Sequence, residues 1–384
     1  MTHRWLALVV GSVLLVELVT GTVLLFRPEI VRLSSPQLFA ATPSAQPLDA
    51  GGAQAVVARE RPGYPVGDTV PVDGVWQVST TDYHHAAYVD AGSGRILGEA
   101  ETTGGFIGLL LNVHDCFLAC EGYTGYVPAL AATVPGLGEL TWANLVLGIV
   151  GLGFAVLAVS GVIAWWPSMR RFVKDLRRSL TVHLRRGQYR FNRDLHDVCA
   201  LVALPLLVVW AVTGAGYGMP FVGDAWYALT GGEEQAEASF TPDAMPPDAA
   251  DIGTAGAVAS ARALLGGQEL TDVIPPSADL GGYYQVGLQS GIAPARYGGP
   301  RLFSETTVDV DPHTGRAEIA SGGPEQSWSS WAWTSGNYGV HFGYMVPWWA
   351  RLVWFAAGLV SIYLVGSGFW TWWWRRRQVR LRRS

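Results

Sequence analysis

Four long apolar runs, about Trp5–Phe26, Trp142–Trp166, Leu195–Tyr217 and Trp349–Trp374, constrain this chain more than any other feature. Each is close to the roughly 20 residues that a helix needs to cross the hydrocarbon of a bilayer. A backbone in lipid must satisfy its own hydrogen bonds, so such runs fold as helices. Only 15% of the 384 residues are charged, well below the roughly 25% of soluble domains. The sequence predicts an integral membrane protein, α-helical in the membrane, with four spans.

The placement of charge sets the expected topology. Of the 26 Lys and Arg, one is Arg4, nine fall in "MRRFVKDLRRSLTVHLRRGQYRFNR" and six in the tail "RRRQVRLRRS". The connections 27–139 and 218–347 hold most of the acids. By the positive-inside rule, both termini and the middle loop belong in the cytoplasm and the two long connections outside. The expected order is helix 1–26, outer segment 27–139, helix 140–166, basic loop 167–194, helix 195–217, outer segment 218–347, helix 348–374 and basic tail 375–384. The first apolar run exceeds the 7–15 residues of a signal-peptide core, so it reads as a retained helix, although the small-residue stretch "LFAATPSAQP" follows it. A net charge of −5 gives no reason to expect a nucleic-acid partner.

The two halves of the chain share one layout. His3 precedes Thr20-Gly21, and His196 precedes Thr213-Gly214 at the same spacing. "NLVLGIVGLGFAVLAVSGVIAWW" (144–166) aligns with "RLVWFAAGLVSIYLVGSGFWTWW" (351–373), placing Ser160-Gly161 over Ser367-Gly368. A histidine precedes each of these spans: His114 in "LNVHDCF" and His341 in "YGVHFGY". "AAYVDAGSGRILGEA" and "TTVDVDPHTGRAEIA" share an Asp-x-x-Ser/Thr-Gly-Arg turn between alternating apolar residues, which reads as a β-hairpin. "VWQVST" and "YYQVGLQ" supply further strands. The Pro/Ala/Gly-rich stretches 41–72 and 231–252 read as linkers. The expected architecture is helix, outer α+β module, helix, repeated once.

This order of elements resembles the PepSY-associated transmembrane family, which includes inner-membrane ferric-siderophore reductases. The marks are "HRWLALVVG" and "NRDLHDV" opening inward-starting helices, the two Asp-x-x-[Ser/Thr]-Gly-Arg turns, and "SGVIAWWP" and "GSGFWTWWW" ending the return helices. The resemblance covers nearly the whole chain. It implies two PepSY-like modules, b-type heme in the cytoplasmic membrane, and electron transfer across it.

The histidines reach the same chemistry from the residues. A heme iron held for electron transfer takes two strong axial ligands, and neutral imidazole is a common one. Helices of a bundle supply such ligands from facing positions. His3 and His196 start helices at the inner face, while His114 and His341 precede the return helices at the outer face. Two-fold symmetry about the membrane normal would bring each pair together, giving two heme b sites. Seventeen residues at 1.5 Å rise put Thr20-Gly21 about 25 Å from His3. Gly21 and Gly214 therefore flank the outer site, and Gly161 and Gly368 the inner one. Glycine permits close approach of a flat macrocycle; small residues also serve ordinary helix packing.

Other residues are placed around these sites. Arg4, Arg193 and Arg351 stand beside the histidines and suit heme propionates, though topology alone explains Arg4 and Arg193. Trp328, Trp331 and Trp333 form an expected apolar lip for an acceptor, while Trp348 and Trp349 fit an interface belt. Glu17 is an acid within a span, which is costly and often functional. A buried hydrogen bond and a proton or quinone role are both open. His84 and His85 lie on or beside a strand, His313 in a solvated turn, and His183 in the basic loop. A helical Cys116–Cys120 stretch would strain a disulfide, and Cys199 reads as a packed small hydrophobe.

No hydrolytic constellation is present. Gly148, Gly151 and Gly153 imitate a dinucleotide fingerprint but fall inside a span. The electron donor is then a quinol or a separate reductase, and the acceptor an outward ferric siderophore or other ferric chelate. The alternative is a non-enzymatic PepSY membrane protein without heme, acting as sensor, binding or assembly factor.

Overall fold

The structure is a computed structural model describing residues 2–166, 180–234, 240–244, 246, 249–266, 268–277, 281–289, 306–343, 346 and 349–381. Trp348 and residues 167–179 of the basic loop, Arg177 among them, lie outside the described residues.

Four helices are long and apolar enough to cross a membrane: α1 (Thr2–Leu24), α6 (Trp142–Trp165), α7 (Gln188–Gly218) and α12 (Arg351–Leu381). The last two run past the apolar segments into basic flanks. Their shared core is made of Val10, Leu14, Leu18, Val150, Phe154, Ala203, Leu207 and Ala211. In lipid, association rests on close packing and not on expulsion of water, so small residues mark the contacts. A Cβ on Gly151 would sit 2.5 Å from the backbone nitrogen of Ala215, and one on Gly218 would sit 2.7 Å from the carbonyl oxygen of Asn144. That is why the glycines of α6 fall inside a span: they let α6 and α7 touch along their backbones.

Beyond one end of the bundle lies a sheet. The first part of the chain gives α2 (Arg27–Ser34), α3 (Ala50–Glu60), β1 (Val66–Val72), β2 (Val75–Thr80), β3 (His85–Asp90), β4 (Ile96–Glu101), α4 (Gly105–Cys116) and the short α5 (Pro128–Ala131). The second gives α8 (Phe221–Thr230), α9 (Gly253–Leu265), β5 (Glu269–Ile274), β6 (Tyr284–Gln289), β7 (Thr306–Val310), β8 (Ala317–Ser321), α10 (Trp328–Trp331) and α11 (Asn337–Phe342). The expected linker 41–72 in fact contains α3 and β1. Its Ala, Gly and Pro content disguised a helix capped by Asp49, whose carboxylate accepts the amide of Gly52 at 2.7 Å, a good N-cap arrangement.

The strands form one antiparallel sheet in the order β4-β3-β2-β1-β5-β6-β7-β8. Each half of the chain contributes four consecutive strands to it. Strands β1 and β5 pair at Thr69 and Val273, so each four-stranded half covers the edge that the other would expose. Helices α3 and α9 pack on the same face. Ala53, Val56 and Val57 meet Val78, Ala87 and Val89, while Ala257, Val258 and Ala261 meet Leu270, Val273, Val286 and Val308. Gln54 joins the halves, donating to Thr69 at 2.9 Å and accepting from Thr254 at 2.5 Å.

The two Asp-x-x-[Ser/Thr]-Gly-Arg turns do form hairpins, and the aspartates explain why. Asp311 accepts the amides of His313 and Thr314, each at 2.8 Å, and that of Asp243 at 2.6 Å. Asp90 does the same for Gly92 at 3.0 Å and Thr42 at 2.9 Å. Burial works against the charge on Asp311, but the amides of Thr314, Asp243 and His313 outweigh it and hold its carboxyl down to about 2.

Candidate functional site

Two of the four histidines, His114 and His341, face each other. His114, near the end of α4, and His341, near the end of α11, have ring centroids 6.3 Å apart with planes tilted by 48°. α4 lies across the end of α1 through Leu110, Leu111 and Leu24. α11 is tied to α7 by Tyr217, which donates to Asn337 at 2.9 Å, and by Trp210, which donates to the carbonyl of His341 at 3.1 Å. At the other end of the bundle His196, on α7, is within electrostatic reach of His3, on α1.

Every one of these rings is held by the residue that precedes a matched glycine. Nδ1 lies 3.2 Å from Thr20 Oγ1 in His114, 2.6 Å from Thr213 Oγ1 in His341, 3.0 Å from Ser160 Oγ in His3 and 2.6 Å from Ser367 Oγ in His196. The hydroxyls also reach carbonyls of their own helices: Thr20 to Val16 at 2.9 Å, Thr213 to Val209 at 2.7 Å, Ser160 to Leu157 at 3.2 Å and Ser367 to Leu364 at 2.9 Å. A hydroxyl has one proton. Once that proton goes to a carbonyl, only lone pairs remain for the histidine. Nδ1 must then carry the ring hydrogen, and Nε2 keeps a free lone pair. The network assigns the same tautomer, ready to ligate, at all four positions.

Two of the four glycines crowd a histidine ring. A Cβ on Gly21 would lie 2.5 Å from His114 Cε1, and one on Gly161 3.3 Å from His3 Cε1. Gly21 thus makes room for the imidazole itself. At Gly214 the corresponding distance to His341 is 4.0 Å, and at Gly368 nothing lies within 4 Å.

The His114–His341 pair opens on a cavity of about 440 Å3 lined by Leu14, Leu18, Gly21, Phe154, Trp210, Gly214 and Tyr217. Two acids also reach it, Glu17 and Asp115. Burial and the neighbouring His114 push His341 down to about 3. Burial opposes charge on His114 as well, but Glu17 and Asp115 outweigh it and raise that ring. Among the described residues no three His, Cys, Asp or Glu side chains gather as a free-metal site, and His114 and His341 offer two imidazoles. That donor set suits a heme, whose macrocycle supplies the other four ligands. Two imidazoles bonded through Nε2 at about 2 Å each would have centroids about 6 Å apart, which matches the outer pair.

The remaining expected residues are placed as follows. Arg351 is 1% exposed and pairs with Glu29 while donating to the carbonyl of Leu25 at 2.8 Å. Its guanidinium is engaged and does not line the cavity. Arg4 lies over Trp5, 5.4 Å from the ring centroid, and Arg193 is 3.9 Å from Asp197 with a side chain 60% exposed. The aromatic lip is not there. Trp333 fills the space at Gly216 and Gly223 and stacks on Trp226 at 5.9 Å, Trp331 packs against Gly336, and Trp328 alone is widely exposed. None of the three lines the cavity. His183 is not part of a positive face, since it meets Asp194 at 2.8 Å. His84 packs over Gly122.

Cys116 and Cys120 are bonded, with Cα atoms 5.5 Å apart, inside the usual range. The helix assumed for this stretch stops at Cys116. Phe117 and Leu118 both take left-handed φ, at 46° and 66°, and turn the chain back. Buried Asn112 fastens the turn, accepting from the amide of Cys120 at 3.0 Å and donating to Thr124 O at 3.2 Å.

Sequence reasoning passed over Tyr217, Trp210 and Asp115 as lining residues. A signal existed for two: Trp210 and Tyr217 lie three before and four after Thr213, on the same helical face.

Four helices long and apolar enough to cross a membrane, joined to one antiparallel sheet, define a multi-pass membrane protein. The chain matches the family described as PepSY-associated TM region over residues 1–376 and belongs to it. No curated protein matches it.

Proposed function

We propose that this protein is a transmembrane electron-transfer protein of the bacterial cytoplasmic membrane, with two b-type hemes and a ferric chelate as its outward acceptor. The observation that carries this reading is the outer pair, two imidazoles 6.3 Å apart with Nε2 left free, bordering an apolar cavity. In this reading His114 and His341 ligate one heme, and His3 and His196 the other.

Bound there, heme supplies reversible one-electron redox chemistry. The chain does the rest. Thr20, Thr213, Ser160 and Ser367 fix each ring by its Nδ1–H, so that no reorientation accompanies ligation. Leu14, Leu18 and Phe154 exclude water from the outer cavity. Trp210 anchors α11 through the backbone of His341, which fixes the position of that ring.

Basic flanks put the loop end and both termini in the cytoplasm, and the sheet outside. A Cys116–Cys120 disulfide at the sheet end suits an oxidising compartment. The acceptor class follows from coordination chemistry. One electron converts Fe(III) to Fe(II), which holds hard oxygen ligands less tightly. No acid or base is needed for that step, and a ferric siderophore fits it. A quinol or a separate reductase supplies the electrons.

Stopped-flow mixing of dithionite-reduced protein with a ferric chelate tests the reading. Wild type should reoxidise and release Fe(II), and His341→Ala should reoxidise far more slowly. Equal rates would remove the outer site as the exit.

A further inference from the structure

We propose that Glu17 makes the outer site electronically different from the inner one: its carboxylate takes a share of the His114 Nδ1–H and lowers the reduction potential of the group held there. This rests on the function proposed above.

All four histidines have a hydroxyl acceptor at Nδ1. His114 alone has a carboxylate as well, with Glu17 Oε2 3.3 Å from Nδ1 beside Thr20 Oγ1 at 3.2 Å. At the matching place on α7 stands Trp210, which donates to the His341 backbone and offers no acceptor to the ring. The asymmetry therefore lies between the halves of one site. It is not shared with the inner pair, where Ser160 and Ser367 act without a carboxylate.

The setting makes Glu17 hard to explain by stability. Its side chain is only 10% exposed, and the second oxygen, Oε1, is buried without a hydrogen-bond partner. Among the described residues its ion-pair partner is His114 and no arginine or lysine. The buried guanidinium of Arg351 is taken by Glu29. A carboxylate in such a place costs free energy that a single histidine contact only partly offsets.

Its effect on the imidazole is direct. An anionic acceptor draws the Nδ1 proton and gives Nε2 more negative charge, which strengthens donation to the metal. Stronger donation favours the oxidised metal. Low dielectric in the cavity leaves the interaction poorly screened. Glu17 is a positioning residue in this account, since it acts through His114.

The test is a potentiometric titration of the holoprotein, following both hemes by their visible spectra, with the outer one assigned by its loss in His341→Ala. In Glu17→Gln the outer midpoint should rise by about 59 mV, a tenfold change for a one-electron couple, and the inner should stay. The electron paramagnetic resonance g-values of the outer ferric signal should move with it. Glu17→Asp, which keeps the charge on a shorter arm, should give a smaller rise; it also serves if Glu17→Gln fails to fold. Two hemes with unmoved midpoints in these variants would overturn the inference and leave the proposed function standing. Wild-type protein without heme would overturn both.

Discussion

His341 and Thr213 are joined by a 2.6 Å hydrogen bond across 128 positions of sequence, and its counterparts join His114 to Thr20, His3 to Ser160 and His196 to Ser367. In each case the same hydroxyl also reaches a carbonyl of its own helix. The recurring Thr-Gly and Ser-Gly pairs therefore place a hydroxyl against each ring nitrogen, and at Gly21 and Gly161 the glycine also leaves space for the ring.

Removing the hydroxyl while keeping the shape tests this. Thr213→Val should weaken heme retention at the outer site by about 10–100-fold, the usual effect of losing the partner of a ligating histidine. Heme transfer to apomyoglobin measures it. Ser367→Ala should do the same at the inner site and leave the outer one unchanged.

Glycine substitutions should separate by position. Gly21→Ala forces a methyl to 2.5 Å from His114 Cε1, so the ring or helix must shift, at about 1–3 kcal/mol. The outer heme absorbance should fall. Gly368→Ala meets no protein atom within 4 Å and should leave the His196 ring where it is.

The disulfide closes a short turn next to a histidine. Cys116→Ser should destabilise the sheet end by about 2 kcal/mol on chain-entropy grounds, read as a lower unfolding temperature in detergent. Thiol titration of denatured, unreduced protein should find one free cysteine, Cys199. Three would show that the bridge does not form.

The hairpin aspartates give an acid dependence. The folded carboxyl of Asp311 is held down to about 2, below the roughly 3.9 of an unfolded chain. Its stabilisation is then fully present above pH 4 and lost as pH falls through about 2. Asp311→Asn should lower stability at pH 6 by roughly 1–2 kcal/mol, the scale of lost capping bonds, and flatten the acid limb of a thermal-unfolding series.

Much of this was legible in sequence because long-period signals survive without coordinates. Apolar length marked the spans, the alternation around Asp90 and Asp311 marked the hairpins, and spacing paired the histidines with their glycines. What stayed hidden depended on contacts at ångström scale. The Ala/Gly-rich stretch before β2 looked like a linker, so the β1–β5 seam at Thr69 and Val273 could not be seen. Nothing in Phe117-Leu118 announces two left-handed residues, because side chains usually disfavour them. Trp331 and Trp333 looked available because aromatic content says nothing of the small residues, such as Gly216, that receive them.

The central claim is that the four histidines form two two-ligand heme sites, and a pyridine hemochrome assay on purified protein made with ample heme tests it most directly. The account predicts about two hemes per chain in wild type, about one in His341→Ala and about one in His196→Ala. A chain that folds, shows its disulfide and binds no heme would contradict it.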